Sequence, residues 1–304
     1  MPFFHIGDVG LYVQEPAAGG QGREGTVICV HPPCLTSRLF GSIEDQLGAT
    51  HRLIRWDIRG HGFSDSGNSR MTLGMIAEDM RLLLDKLDVK RAYVCAYGAG
   101  SFPALAALLL HPQRFVGGML LSGSAAYTDI RSRSKLQAAY ISSMLAPKEP
   151  IAFKAAWSEA RTRTEFEELR TEAKLGDPAR WRDYAAACLE DGLERRVRHI
   201  KQPVLLLYGA KDSLGGIYAS RLHRLLPNSE LFGINGAKGQ LATHEPVTTS
   251  FVMSRWMAKQ EHPELADTHD EREALLRELS DHGVKEGAEG SVTHAQTLRN
   301  SYVH

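Results

Sequence analysis

Residues 91–123 restrict the fold of this chain more than any other stretch. Ala92 to Ala96 is a short apolar run with the length of a buried strand. A tight turn of small residues follows at Gly98-Ala99-Gly100, then a helical stretch from about Phe102 to Leu110. His111-Pro112 ends that helix, and Val116 to Leu121 forms a second apolar strand. Two strands joined through one helix make a right-handed βαβ unit, which places the chain among α/β folds with helices packed on a mostly parallel sheet.

The remaining elements extend that unit. Phe3 to Gln14 reads as an opening hairpin, and Thr26 to Val30, Arg52 to Asp57, Pro203 to Tyr208 and Ser229 to Ile234 read as strands. Helices are expected over Arg38–Leu47, Thr72–Leu87, Ile217–Leu226 and Pro246–Lys259. In the second of these, Leu73, Ile76, Met80, Leu83, Leu84 and Leu87 recur at helical spacing. From 125 to 200 the composition shifts to charge and alanine with no buried strand, as in a helical cap inserted into the core. Helices are expected there at about Arg131–Leu145, Ile151–Leu169 and Pro178–Glu190. The expected organisation is a core at 1–124 and 201–260, a cap at 125–200, and a polar extension at 261–304. That extension is partly helical (Asp270–Leu279) or disordered.

The turn Ala96-Tyr97-Gly98-Ala99-Gly100 has the small-x-x-x-small frame of a nucleophile elbow, in which the central residue is held at the tip of a strained strand-to-helix turn. The order of motifs resembles the α/β-hydrolase family over about residues 3–260. The matching segments are Asp57-Ile58-Arg59-Gly60-His61-Gly62-Phe63-Ser64, the elbow followed by His111-Pro112, and Pro203–Asp212, which ends at the position of the family's catalytic acid. The resemblance implies a mostly parallel central sheet flanked by helices with an inserted cap. It does not by itself imply chemistry.

Hydrolysis on this frame needs a nucleophile, a base, an acid that orients the base, and amide donors for the oxyanion. The nucleophile position is Gly98. The loop Gly236–Pro246 aligns with the family's histidine loop and puts Gly239 at the histidine position. The oxyanion loop reads His31-Pro32-Pro33, and Pro33 has no N–H. Asp212 alone remains of the triad. Glycine at the nucleophile and histidine positions, with Gly98-Ala99-Gly100 at the elbow, resembles the N-myc downstream-regulated (NDRG) family. Those proteins have this fold without the hydrolytic triad and are associated with stress response, differentiation and trafficking.

The resemblance implies a non-hydrolytic protein that binds a ligand or a partner. The expected pocket is lined by Pro33, Cys34, Tyr97, Gly98, Ser122, Asp212 and Lys238 and suits a small, largely apolar ligand. A protein partner would use the cap or the extension. The alternative is an ester or C–C hydrolase, or a cofactor-free lyase or oxygenase, with displaced catalytic residues. Ser124, Asp212 and His244 stand in the family's chain order, although His244 lies five positions past the usual histidine. Lys238 can pair with Asp212, and His31 and His61 can bond loop backbone.

Lysine plus arginine equals aspartate plus glutamate at 36 each, so bulk charge points to neither nucleic acid nor anionic membrane. Cys29, Cys34, Cys95 and Cys188 have no paired spacing, which fits free thiols in a reducing compartment. Without a signal-like start, a membrane-length apolar run, metal-ligand spacing or a phosphate-binding glycine loop, a cytoplasmic protein without metal or cofactor is expected.

Overall fold

The computed structural model describes residues 3–14, 25–130, 133–134, 137, 147–190, 192–262 and 280–286. Among them, nine strands form one sheet. In chain order they are β1 (Phe3–Ile6), β2 (Val9–Gln14), β3 (Thr26–Val30), β4 (Arg52–Trp56), β5 (Ala92–Tyr97), β6 (Phe115–Leu121), β7 (Val204–Gly209), β8 (Ser229–Ile234) and β9 (Val284–Glu286). Their order across the sheet is β1-β2-β4-β3-β5-β6-β7-β8-β9. The pairs from β4 to β8 are parallel, and antiparallel pairs close both ends. This is the α/β-hydrolase fold.

Why the central strands read as unbroken apolar runs is visible in their alternation. Ile28 and Val30 of β3 point to one face, where α2 (Leu73–Lys86) and α3 (Ser101–Leu110) pack. Val27 and Cys29 point to the other, against α1 (Gly41–Leu47) and the helix Pro246–Glu261. Both faces are covered, so both sets of side chains are apolar. The four cysteines are free and buried.

Between β6 and β7 the described residues form α4 (Lys148–Glu159), α5 (Arg163–Ala173), α6 (Pro178–Leu189) and the short α7 (Leu193–Arg196). The single helix expected over Ile151–Leu169 is two. The chain breaks at Ala160, which is extended (ψ 141°), and Thr162 starts α5 by accepting from the Glu165 N–H at 3.1 Å. Thr162-Arg163-Thr164-Glu165 carries the Thr-x-x-Glu signature of a helix start, and the cap outweighs continued helical periodicity. The expected helix over residues 131–145 lies almost wholly outside the described residues, and the one over 270–279 lies outside them.

After β7 come α8 (Ser213–Leu225), β8, the one-turn α9 (Leu241–His244) and α10 (Pro246–Glu261). The extension is not wholly outside the core, as the sequence suggested. Val284 is buried, and β9 pairs antiparallel with β8 in the register Ile234↔Val284. Three residues suffice because they satisfy an edge that β8 would otherwise leave open. Among the described residues no helix is long and apolar enough to cross a membrane.

Candidate functional site

The small-residue turn joins a strand to a helix where the sequence puts it. β5 ends at Tyr97, Gly98 takes a φ of +54°, and Gly98–Gly100 forms a single 3₁₀ turn that runs directly into α3. Gly100 is required for a different reason, since a Cβ there would sit 2.3 Å from the carbonyl oxygen of Val30. The turn is tied down by Ser101, whose Oγ lies 2.8 Å from the Gly98 oxygen and 2.6 Å from the Ser124 oxygen, and accepts from the Ser124 N–H at 2.9 Å. A Cβ placed on Gly98 would meet nothing within 4 Å. Position 98 therefore has open space in front of it and no side chain to fill it.

That space belongs to a cavity of about 580 Å³ at the ends of β5, β6 and β7. Five of the seven expected lining residues are there: Tyr97, Gly98, Ser122, Asp212 and Lys238. Pro33 and Cys34 are not. Cys34 turns away in a left-handed conformation (φ 68°) and is buried against Ile151 and Trp181 from the inserted helices, where burial pushes its thiol up to about 12. Such burial disfavours the thiolate, which is the nucleophilic form.

Among the described residues, no histidine lines the cavity with Asp212. Asp212 caps α8, with Oδ1 accepting from the Gly215 N–H at 3.1 Å. A Cβ on Gly239 would lie 2.8 Å from Asp212 Oδ2, so a histidine there would require the carboxylate to move. Ser122 (φ 52°) donates its hydroxyl to the Gly239 carbonyl at 2.8 Å and links the end of β6 to the loop after β8. The expected Lys238–Asp212 ion pair is not among those formed by the described residues; Asp212 Oδ1 is engaged by the start of α8 and Oδ2 faces Gly239.

The loop His31-Pro32-Pro33 is tied down through its histidine. His31 is fully buried; its Nδ1–H donates to the Pro32 oxygen at 2.9 Å and its Nε2 accepts from the Ile58 N–H at 2.9 Å. Burial, aided by the neighbouring His61, holds its pKa well below 6.5, so the ring is neutral. His61 bonds the Arg59 oxygen at 3.1 Å and packs edge-on to Tyr184, and burial lowers its pKa to about 4. Both histidines hold loop backbone, as expected. Ala99, the residue after Gly98, has a backbone N–H, and Pro33 has none.

Ser124, Asp212 and His244 are not brought together. The Ser124 hydroxyl donates to the Ala126 oxygen at 2.6 Å and is buried off the cavity, while His244 Nε2 lies 3.1 Å from the Glu159 carbonyl oxygen. The residue that sequence reasoning missed is Glu159, at the last turn of α4. Glu159 is 7% exposed and lines the cavity, its carboxylate accepting from Tyr97 Oη at 2.9 Å and Thr243 Oγ1 at 3.4 Å, with Ser158 Oγ 3.2 Å away. Burial raises its pKa against the pull of those hydroxyls. Nothing in the sequence near Glu159 ties it to Tyr97, 62 residues earlier. Among the described residues no three His, Cys, Asp or Glu side chains converge as a metal site.

The sequence profile of the serine aminopeptidase S33 hydrolases matches residues 21–229. The chain belongs to that family. The matched stretch includes Pro33, Gly98 and Asp212 and stops before Gly239. Among curated proteins, a Caulobacter (strain K31) protein named "Putative carbamate hydrolase RutD" is 28% identical over 223 residues, covering 70% of this chain and 79% of that one. Among solved structures, an esterase from Exiguobacterium antarcticum superposes with a TM-score of 0.72 at 16% identity, covering 84% of this chain and 98% of the esterase. An enol-lactonase from Burkholderia xenovorans LB400 gives 0.72 at 15% identity, covering 84% and 100%. At these identities the structural likeness establishes the fold alone.

Proposed function

We propose that this family member binds a small polar molecule in the cavity over Gly98 and does not form an acyl-enzyme there. It would be a non-hydrolytic, regulatory protein in the manner of the NDRG family, with the inserted helices as its cap. The observation that carries this reading is the intact elbow with open space and no side chain at Gly98. Gly239 stands where the family's base is expected, and Pro33 offers no N–H where an oxyanion donor is expected. Losing one such donor costs about 10²–10³ in rate, and losing a triad member costs more. The lining carries Glu159, Asp212, Lys211 and Lys238, so the occupant is polar rather than the apolar molecule expected from sequence.

A second reading is hydrolysis by displaced groups. It is favoured by membership of a hydrolase family and by the Tyr97–Glu159 pair in the same cavity, since a buried carboxyl with a raised pKa is a candidate general acid or base. Turnover of p-nitrophenyl acetate and phenyl carbamate separates the two. The parent and a Gly98→Ser variant are both expected to stay at the buffer rate, because a serine placed there still has no base. Turnover by the parent that disappears in Glu159→Gln would establish the second reading and refute the first.

A further inference from the structure

Remote from the elbow, the chain concentrates positive charge in one place. α8 begins at the cavity with Ser213 and ends at Leu225, a span of about 20 Å at 1.5 Å per residue. Around its far end, together with α7 and the 3₁₀ turn Val197–His199, lies a groove of about 380 Å³ lined by Glu194, Arg195, Arg198, Arg221, Arg224 and Leu225. Four guanidinium groups thus share one concavity with one carboxylate. Arg221 is already committed, donating to Glu194 Oε2 at 2.7 Å and to Thr128 Oγ1 at 3.2 Å. Arg195, Arg198 and Arg224 are exposed, and no carboxylate among the described residues pairs with any of them; Arg198 has only the His199 ring, at 3.4 Å.

Two ordinary causes fall short of explaining the cluster. The chain as a whole is neutral, so the arginines are not the local expression of a basic protein. The C-terminal carbonyls of α7 and α8 favour a cation at each helix end, which accounts for Arg195 and Arg224 but not for four cations around one groove. Held this close without counter-charges, the three open guanidinium groups repel one another. An anion with several oxygens relieves that repulsion and matches the planar fork of arginine, which binds phosphate through paired N–H groups where lysine offers a point charge. The groove also has the volume of a small-molecule site.

We propose that this groove binds a small free compound bearing two or more phosphate groups. The site is separate from the cavity over Gly98 and does not depend on the function assigned to it. Titration calorimetry of the full chain with inorganic pyrophosphate at low ionic strength tests it. Saturable binding at one site is expected, with orthophosphate at least about tenfold weaker because it engages fewer guanidinium groups. The double variant Arg198→Gln/Arg224→Gln is expected to weaken pyrophosphate binding by about tenfold or more, while its unfolding midpoint without ligand stays at the parent value because both side chains are exposed. Lys211→Gln/Lys238→Gln, which removes the cations of the elbow cavity, is expected to bind pyrophosphate as the parent does. No binding, equal affinity for orthophosphate and pyrophosphate, or loss in the lysine variant with retention in the arginine variant would each overturn the proposal.

Discussion

Replacing Arg59 with leucine is expected to lower the free energy of unfolding by about 3–5 kcal/mol, the cost of leaving a buried charge without its partner. Arg59 leaves the loop after β4 and grips Asp79 of α2 with two parallel bonds, Nε to Oδ2 at 2.7 Å and Nη2 to Oδ1 at 2.6 Å. The side chains are 6% and 3% exposed, so water cannot replace the lost partner. The pair fastens the loop carrying Gly60, His61 and Gly62 to the helix packed beneath it. Urea unfolding of Arg59→Leu, Asp79→Leu and the double variant measures the effect. The double variant should recover much of the loss, since removing both charges removes the uncompensated one. A single variant within about 0.5 kcal/mol of the parent, the usual range for an ordinary surface substitution, would contradict this account of the loop.

The second large effect depends on pH and comes from Asp57. Its carboxylate is buried between the oxyanion-side segment and the same loop, accepting from Ser37 N–H at 2.9 Å, Ser37 Oγ at 2.8 Å and Phe63 N–H at 3.1 Å. Burial nevertheless raises its pKa from 3.8 to about 6, the donors notwithstanding. The folded state therefore holds this proton more tightly than the unfolded chain does. Its contribution to stability is complete below about pH 4 and is lost as the pH rises through about 6, a change of about 3 kcal/mol at 1.36 kcal/mol per pKa unit. The measurement is the stability difference between the parent and Asp57→Asn, which cannot titrate, from pH 4 to pH 7. That difference should move against the parent by about this amount as the pH rises. A difference that is flat, or that moves in the parent's favour, would show that the three donors outweigh burial.

Much of the architecture was legible because buried parallel strands leave a strong sequence trace. Thr26–Val30 and Ser229–Ile234 are strands over the same residues that their apolar runs mark out. Close approach made the elbow legible too: only a residue without a Cβ fits beside Val30 at position 100. What escaped the reading depended on contacts between distant segments. Val284 has no apolar neighbours in sequence that mark it as a strand, and it becomes one only because β8 offers an edge. Glu159 looks like one more charge on an amphipathic helix until α4 ends over Tyr97. Cys34 follows His31-Pro32-Pro33, which suggests a place at the cavity, whereas a left-handed backbone sets it against Ile151 and Trp181. The break at Ala160 is a different kind of miss, since Thr162 and Glu165 carry its signal locally and helical periodicity masked it.

On the proposed function, no serine of this chain acts as an activated nucleophile. Incubating the folded protein with a reactive fluorophosphonate and weighing it intact tests this most directly, because the reagent modifies only a serine activated by a base and an oxyanion hole. The expected result is an unchanged mass for the parent under conditions that fully label an active serine hydrolase run alongside. Stoichiometric gain of one adduct on a serine of this chain would contradict it.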